Sequence, residues 1–330
     1  MISSSSVRLL DRSSIAQARR ESVEHACRLG WSEAERSNTA IVATELATNL
    51  IRHAREGVIA ISSACVADSS RLLLVAVDHG PGISNLARCF EDGYSSGGSS
   101  GTGLGAVSRL AHSVDVFSTS EGTVLVAEMR GPTSTADGFV VGGLSIAKEG
   151  ETVNGDGWDF RRVNGGLAIL VCDGLGHGAY AGDATAQAIA AFRRPGWRSA
   201  VEAIAAVDEA LRPTRGAAAV VALIEAGGRR RLRYCGVGNI AGCIIEGDRS
   251  RHLVSHNGIL GHTGGRMSEF EYEWSAQSTL VLHSDGISSR WHADRLPPIW
   301  LRHPGLVAGI LYRDFSRGND DVVTVVVRQE

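Results

Sequence analysis

The sequence predicts an α+β domain followed by an α/β sandwich. Three observations carry this. A chain of 330 residues exceeds what one hydrophobic core usually holds. Up to Arg130, two helical patterns precede a group of strand candidates. Beyond Gly138, short apolar runs dominate and two helical stretches interrupt them. Between the two parts lies "GPTSTADG" (131–138), rich in Gly, Pro and Ser/Thr and without apolar periodicity, which reads as a linker. The domains are placed at 1–131 and 138–330, with 132–137 between them.

The first helix is expected over about Ser14 to Leu29. The second begins at Ser32, where "SEAE" places Glu35 three residues on, a capping box. It runs through "RSNTAIVATELATNLIRHA" with Val42, Leu46 and Leu50 on one stripe. Strands follow at "GVIAISSACV" and "RLLLVAVD". A glycine-rich stretch, a helix at "GAVSRLAH" and strands at "SVDVFSTS" and "GTVLVAEMR" close the domain. In the second part, strands are expected at "GFVVGGLSIA", "GWDFRRV", "GLAILVCD", "GAAAVVALIEA", "RLRYCGVGNIAGCIIEG", "TLVLHSD" and "DVVTVVVRQ". The helices fall at about Ala179 to Arg193 and Ala200 to Arg212.

The net charge of −3 gives no global case for nucleic acid or an anionic membrane. The basic run "RRRLR" (229–233) reads as a solvated hairpin turn entering a strand. Lys148 is the only lysine, which argues against chemistry that uses a lysine to hold phosphate. No apolar run reaches the length of about 18–20 residues that crosses a bilayer, and "MISSSSVRLL" lacks the apolar core of a secretory signal. The six cysteines form no C-x-x-C pair and read as buried, reduced thiols. A cytoplasmic protein is expected.

Two stretches carry chemistry. In "TELATNLIRHA", Glu45 and Asn49 share a helix face. "LLLVAVD" is an apolar strand ending in Asp78, followed by "HGPG". Gly80 and Gly82 let backbone approach a ligand, and the carboxylate can accept from an exocyclic amine. "GYSSGGSSGTGLG" then leads into a helix start, whose amides suit a polyphosphate. In the second half, aspartates stand at strand ends. Asp156 lies in "NGDGWDF", Asp173 ends "LAILVCD", Asp285 ends "TLVLHSD", and Asp320 and Asp321 precede "VVTVVV". Converging carboxylates repel and raise one another's pKa. Hard divalent ions such as Mg²⁺ or Mn²⁺ match such all-oxygen ligands. Two of them can drive in-line attack on a phosphate ester. Cys172 suits packing, and His177, His262 and His283 lack zinc-ligand spacing.

The order "ELATNLIRHA", "DHGPGI", "GTGLGAVSRL" resembles the N-box and two glycine boxes of the GHKL ATPases, which have a two-layer α+β fold. It is most similar to the serine kinases and anti-sigma factors of the RsbT/RsbW type, over about 12–130. The resemblance implies that Asn49 holds the Mg²⁺ bridging the phosphates of ATP and that Asp78 reads the adenine amine. Gly80, Gly82, Gly101, Thr102, Gly103 and Gly105 complete the nucleotide site, and Glu45 is the general base toward a substrate serine. His53 fits the pattern and is expected to pack. "NGDGWDF", "VCDGLGHGAYA", "GVGNIAG", "NGILG", "LVLHSDGI" and "NDDVVTVVV" resemble the metal-dependent 2C-type serine/threonine phosphatases of the SpoIIE/RsbX branch, over about 138–328. That fold is an α/β/β/α sandwich. The match implies two Mn²⁺ or Mg²⁺ bridged by Asp173, with the Gly174 carbonyl, Asp156, Asp285 and Asp320 completing the shell. Asp320 is favoured over Asp321. No counterpart of the phosphate-gripping arginine of the eukaryotic enzymes is placed. Arg161 and Arg162 read as solvent-facing.

Together the two resemblances imply a partner-switching regulator that phosphorylates and dephosphorylates a serine or threonine of a STAS-domain protein. A sigma factor or a stressosome-like complex is a further partner, and nucleic acid and membrane are not. Two alternatives stand beside this: a phosphatase whose N-terminal domain only senses ATP, and a non-catalytic module that binds an anti-sigma or STAS partner. Oligomeric state is not legible.

Overall fold

The computed structural model describes residues 2–66, 69–89, 103–131, 138–225, 230–262, 266–296 and 298–330. The first elements are β1 (Ile2–Leu9), α1 (Arg12–Arg28), α2 (Glu33–His53), β2 (Gly57–Val66), β3 (Ser69–Val77), α3 (Leu86–Cys89), α4 (Gly103–Leu110), β4 (Ser113–Thr119) and β5 (Gly122–Arg130). Next come β6 (Phe139–Ile146), β7 (Asp156–Val163), β8 (Gly166–Gly174), α5 (Ala179–Arg193), α6 (Ala200–Leu211), β9 (Ala217–Ile224), β10 (Arg231–Val237) and β11 (Ala241–Glu246). The last are β12 (Arg249–His252), β13 (Phe270–Glu273), β14 (Thr279–His283), α7 (Pro304–Phe315) and β15 (Val322–Gln329). Among the described residues no helix is long and apolar enough to cross a membrane.

These elements form two compact units. One comprises residues 2–135 with 305–314, the other 136–304 with 315–330. In the first, an antiparallel sheet of order β1-β2-β3-β5-β4 carries helices on one face. Ser32 caps α2 as the capping box predicts: its side chain accepts from the Glu35 N–H, and the Glu35 carboxylate accepts from the Ser32 N–H at 2.7 Å. Val42, Leu46 and Leu50 are buried with Leu72, Leu74, Leu125 and Met129 of the sheet. The opening segment, given no element in the sequence, forms β1. It is an edge strand paired with β2, with Val7 opposite Ile59.

The other face of this sheet is buried as well. Val75, Val77, Val124 and Val126 are almost fully covered, and α7 lies against three of them. A Cβ placed on Gly309 would sit 2.6 Å from Val124 and 3.0 Å from Val75, so the glycine sets how closely the helix approaches. Arg313 fixes its end. Nη1 donates to the Gly122 carbonyl at 2.9 Å, and the guanidinium lies 5.4 Å from the centre of the Phe117 ring. The Arg313 carbonyl accepts from His79 Nε2 at 3.0 Å. Replacing Arg313 by Ala leaves the buried Gly122 carbonyl without its donor, a loss of about 1–3 kcal/mol. The expected result is a lower unfolding temperature for this unit in calorimetry. An unchanged transition refutes the assignment.

The second unit stacks two antiparallel five-stranded sheets, β13-β10-β9-β8-β7 and β12-β11-β14-β15-β6. Helices α5 and α6 cover the first. Ala181, Ala184, Ala188 and Ala191 form the buried stripe of α5, and such small side chains let a helix sit close to a sheet. β8 is buried from Gly166 to Cys172, which explains its unbroken apolar run. The cysteine expectation needs correction: none of the six forms a disulfide, but only Cys172, Cys235 and Cys243 are buried, while Cys27 and Cys65 are exposed.

Candidate functional sites

In the first unit, α2 presents Glu45 and Asn49 one turn apart, beside the buried Leu46 and Leu50. Gly103 opens α4 against them. A Cβ there would stand 2.8 Å from Glu45 Oε2 and 3.8 Å from Asn49 Oδ1. Gly105 is buried within α4, and Gly101 and Thr102 lie outside the described residues. Asp78 follows β3. Its Oδ1 accepts from the Gly80 N–H at 2.6 Å and the Thr123 N–H at 3.3 Å. The carboxylate is thereby oriented, and Oδ2 takes no protein donor among the described residues. Burial raises its pKa, and the two amides oppose that rise. Gly82 has φ +76°, and a Cβ on it would lie 2.0 Å from the Thr119 carbonyl. No other residue fits there. Glu45 also lines a cavity of about 270 Å³ with Arg19, Ser37, Ala40, Ile41 and Thr44. His53 does not pack as expected; its side chain is exposed.

In the second unit, the sheet ends bring the predicted aspartates together. Asp156 begins β7 directly opposite Asp173 near the end of β8, a like-charge pair that opposes folding. Asp173, Asp285 and Asp320 line one cavity of about 470 Å³ with Asn239, Asn257, His177 and Lys148. Asp156 is 5% exposed, and its Oδ2 is buried with no hydrogen-bond partner. Burial and the neighbouring Asp173 hold the Asp156 carboxyl well above the usual range. Burial, then Asp285 and Asp320, push Asp173 up to about 7. Asn239 Nδ2 donates to Asp285 Oδ2 at 2.7 Å and fixes its direction. Gly174 is buried and donates to the Gly155 carbonyl at 3.1 Å. Gly286 abuts the Asp321 carbonyl, 2.1 Å from where a Cβ would stand.

The two consecutive acids have different surroundings. Asp321 is buried, and its oxygens accept from the Lys148 N–H at 2.8 Å and the Gly155 N–H at 2.9 Å. Asp320 is the one that faces the cavity. Among the described residues, no group of three His, Cys, Asp or Glu side chains is arranged to hold one ion. The donor set still fits hard cations: three carboxylates around one cavity, and beside Asp173 a buried oxygen of Asp156 with no hydrogen-bond partner among the described residues. The other candidates drop out. Cys172 is buried in the sheet with its thiol pushed up to about 12. His283 is buried, donating from Nδ1 to the Ser284 carbonyl at 2.8 Å and accepting from Trp291 Nε1 at 3.2 Å.

Two arginine expectations are corrected. Arg161 does not face solvent. Its Nη1 donates to the carbonyls of Phe192, Arg193 and Arg194 at the end of α5, and its guanidinium lies over Trp197. Arg162 lies over the Phe139 ring. The basic run near β10 is neutralised in part, Arg231 by Glu271 and Arg233 by Glu269.

Comparison with known proteins matches both halves. The family model of the histidine kinase-like ATPase domain matches residues 10–129, and that of stage II sporulation protein E (SpoIIE) matches residues 164–298. The chain is 32% identical over 124 residues to the serine/threonine-protein kinase RsbT of Bacillus subtilis (strain 168), which covers 37% of this chain and 93% of that protein. The first part belongs to the family of RsbT, and the two matches together make the chain a fusion of a GHKL-type ATPase domain with a SpoIIE-type domain. A solved chain from work on the bacterial stressosome, described as a modular system adapted to control secondary messenger signaling, has 26% identity and a TM-score of 0.51. It covers 58% of the fusion and 99% of its own length. RsbX, solved in complex with magnesium, shares the fold at 19% identity and a TM-score of 0.52, over 60% of the fusion and 98% of RsbX.

Proposed function

We propose that the fusion sets the phosphorylation state of a serine or threonine on a STAS-domain partner, adding phosphate with the first unit and removing it with the second. The observation that carries this reading is the presence of both reactive sets in one chain. Glu45 and Asn49 stand against Gly103, and Asp173, Asp285 and Asp320 share one cavity.

In the kinase half, Asp78 Oδ2 accepts from the adenine amine while its Oδ1 is held by Gly80 and Thr123. Asn49 holds the Mg²⁺ that accompanies ATP, and Gly101, Thr102, Gly103 and Gly105 cradle the phosphates. Glu45 lies at both the glycine box and the cavity beside α1 and α2. There it takes the proton of the attacking hydroxyl, an effect worth about 10²–10⁴ in rate. In the phosphatase half, Asp156, Asp173, the Gly174 carbonyl, Asp285 and Asp320 hold two Mn²⁺ or Mg²⁺. When bound, such ions supply a nucleophilic hydroxide and neutralise the ester's charge. Asn239 orients Asp285, and Asp321 ties Gly155 to the Lys148 backbone.

The test uses γ-labelled ATP, Mn²⁺ and a purified STAS-domain protein. Label is expected to build up on the partner with Asp173→Asn and to vanish when Glu45→Ala is added. If Asp173→Asn yields no label while wild type strips pre-phosphorylated partner, the first unit senses ATP without transferring phosphate. If neither substitution alters any phosphorylation state, the fusion only binds its partner.

A further inference from the structure

We infer that Lys148, the only lysine in the chain, is the phosphate-binding cation of the phosphatase cavity. The inference rests on the phosphatase reading above. Scarcity of lysine in the sequence points away from such chemistry, but its location points toward it. Lys148 lines the same cavity as Asp173, Asp285 and Asp320.

The residue is built into the site. Its N–H donates to Asp321 Oδ1 at 2.8 Å, and Asp321 Oδ2 accepts from Gly155, next to Asp156. Its carbonyl accepts from the Glu151 N–H at 3.1 Å, closing the turn. The backbone of Lys148 is thus pinned to the strand ends that carry the acids. Among the described residues no carboxylate lies at ion-pair distance from its ammonium, so the charge is available to a ligand. Among the described residues no arginine lines this cavity. Arg161 is bound to the end of α5, Arg162 lies over Phe139, and Arg215 lies over the Tyr180 ring. His177 also lines the cavity, but its Nδ1 is 2.7 Å from Glu151 Oε1.

Charge balance says why such a group is needed. The three cavity carboxylates of Asp173, Asp285 and Asp320, with that of Asp156 opposite Asp173 on the neighbouring strand, would cancel two divalent ions. A phosphomonoester dianion then approaches a centre with no net positive charge to spare. One ammonium at the rim restores attraction for its peripheral oxygens, as a point charge that tolerates several oxygen positions.

The experiment compares wild type with Lys148→Met and Lys148→Arg, each as the full chain with Mn²⁺. Isothermal titration with inorganic phosphate gives affinity, and hydrolysis of a phosphoserine peptide gives KM and kcat separately. Lys148→Met is expected to weaken phosphate binding about tenfold or more and to raise KM in step, with kcat changed much less. Lys148→Arg is expected to recover most of the affinity. Because the pinning contacts are made by the backbone, both variants should unfold at the wild-type temperature. Phosphate affinity and KM unchanged in Lys148→Met overturn the assignment, even though the phosphatase reading survives. An equal loss in Lys148→Arg and Lys148→Met overturns it too, because the charge is then not what matters. If wild type neither binds phosphate nor hydrolyses the peptide, the phosphatase reading falls first, and the role of Lys148 with it.

Discussion

Replacing Asp173 by Asn is expected to abolish phosphoserine hydrolysis and to stabilise the metal-free protein. Both effects come from one carboxylate. Asp173 stands opposite Asp156 across β7 and β8, and burial with Asp285 and Asp320 raises its pKa to about 7 from an ordinary 3.8. The sign follows from linkage. Below pH 4 the group is protonated whether the chain is folded or not, and nothing is lost. Between pH 4 and 7 the unfolded chain releases its proton while the folded chain keeps it, so stability falls as pH rises. Above pH 7 the penalty is complete, on the order of a few kcal/mol. Metal-free wild type is therefore expected to melt lower at pH 8 than at pH 5, and Asp173→Asn to flatten that dependence. Mn²⁺ should raise the wild-type transition at pH 8 far more than the variant's. Calorimetry at the two pH values, with and without Mn²⁺, decides the matter. A variant that melts with wild type throughout and still hydrolyses the peptide removes Asp173 from the site.

Much of this was legible because strand ends and helix starts write their chemistry in residue types. "VCDG" and "HSDG" pair an acid with a glycine because the backbone behind the acid is crowded: Gly286 abuts the Asp321 carbonyl. The Ser32–Glu35 box is read directly because both partners lie within four residues. What escaped depends on neighbours distant in the chain. β1 carries four consecutive serines and needs only Val7 and Leu9 on the core side, as an edge strand allows. α7 is buried without a break from Pro304 to Arg313, so it has no polar face to mark a helical period. A hint was present. β3 reads "LLLVAV" and β5 carries "VLVA", apolar runs that require cover on both faces of the sheet. The choice between Asp320 and Asp321 turns on which oxygens the amides of Lys148 and Gly155 occupy, and the sequence carries no trace of that.

The kinase assignment rests on fewer contacts, and Glu45→Ala is the substitution that isolates it. Asp78 and Asn49 hold the nucleotide in the proposed site, so ATP affinity is expected to stay within about twofold of wild type. Phosphotransfer to the partner is expected to fall by about 10²–10⁴. The fold should tolerate the change, since Glu45 lies mid-helix with only part of its side chain buried and alanine is the better helix former. Asp78→Asn is the matching control. Its Oδ1 contacts with Gly80 and Thr123 can be kept by the amide oxygen, but the other position becomes a donor facing the adenine amine. Nucleotide binding should then fail before chemistry is reached. The two variants thus separate binding from proton transfer, read by a fluorescent ATP analogue for the first and by labelled partner for the second. If Glu45→Ala phosphorylates at the wild-type rate with ATP bound, the base lies elsewhere and the resemblance to RsbT has been carried one residue too far. If it binds ATP and transfers nothing, the carboxylate between the glycine box and the α1–α2 cavity is where the substrate hydroxyl must arrive.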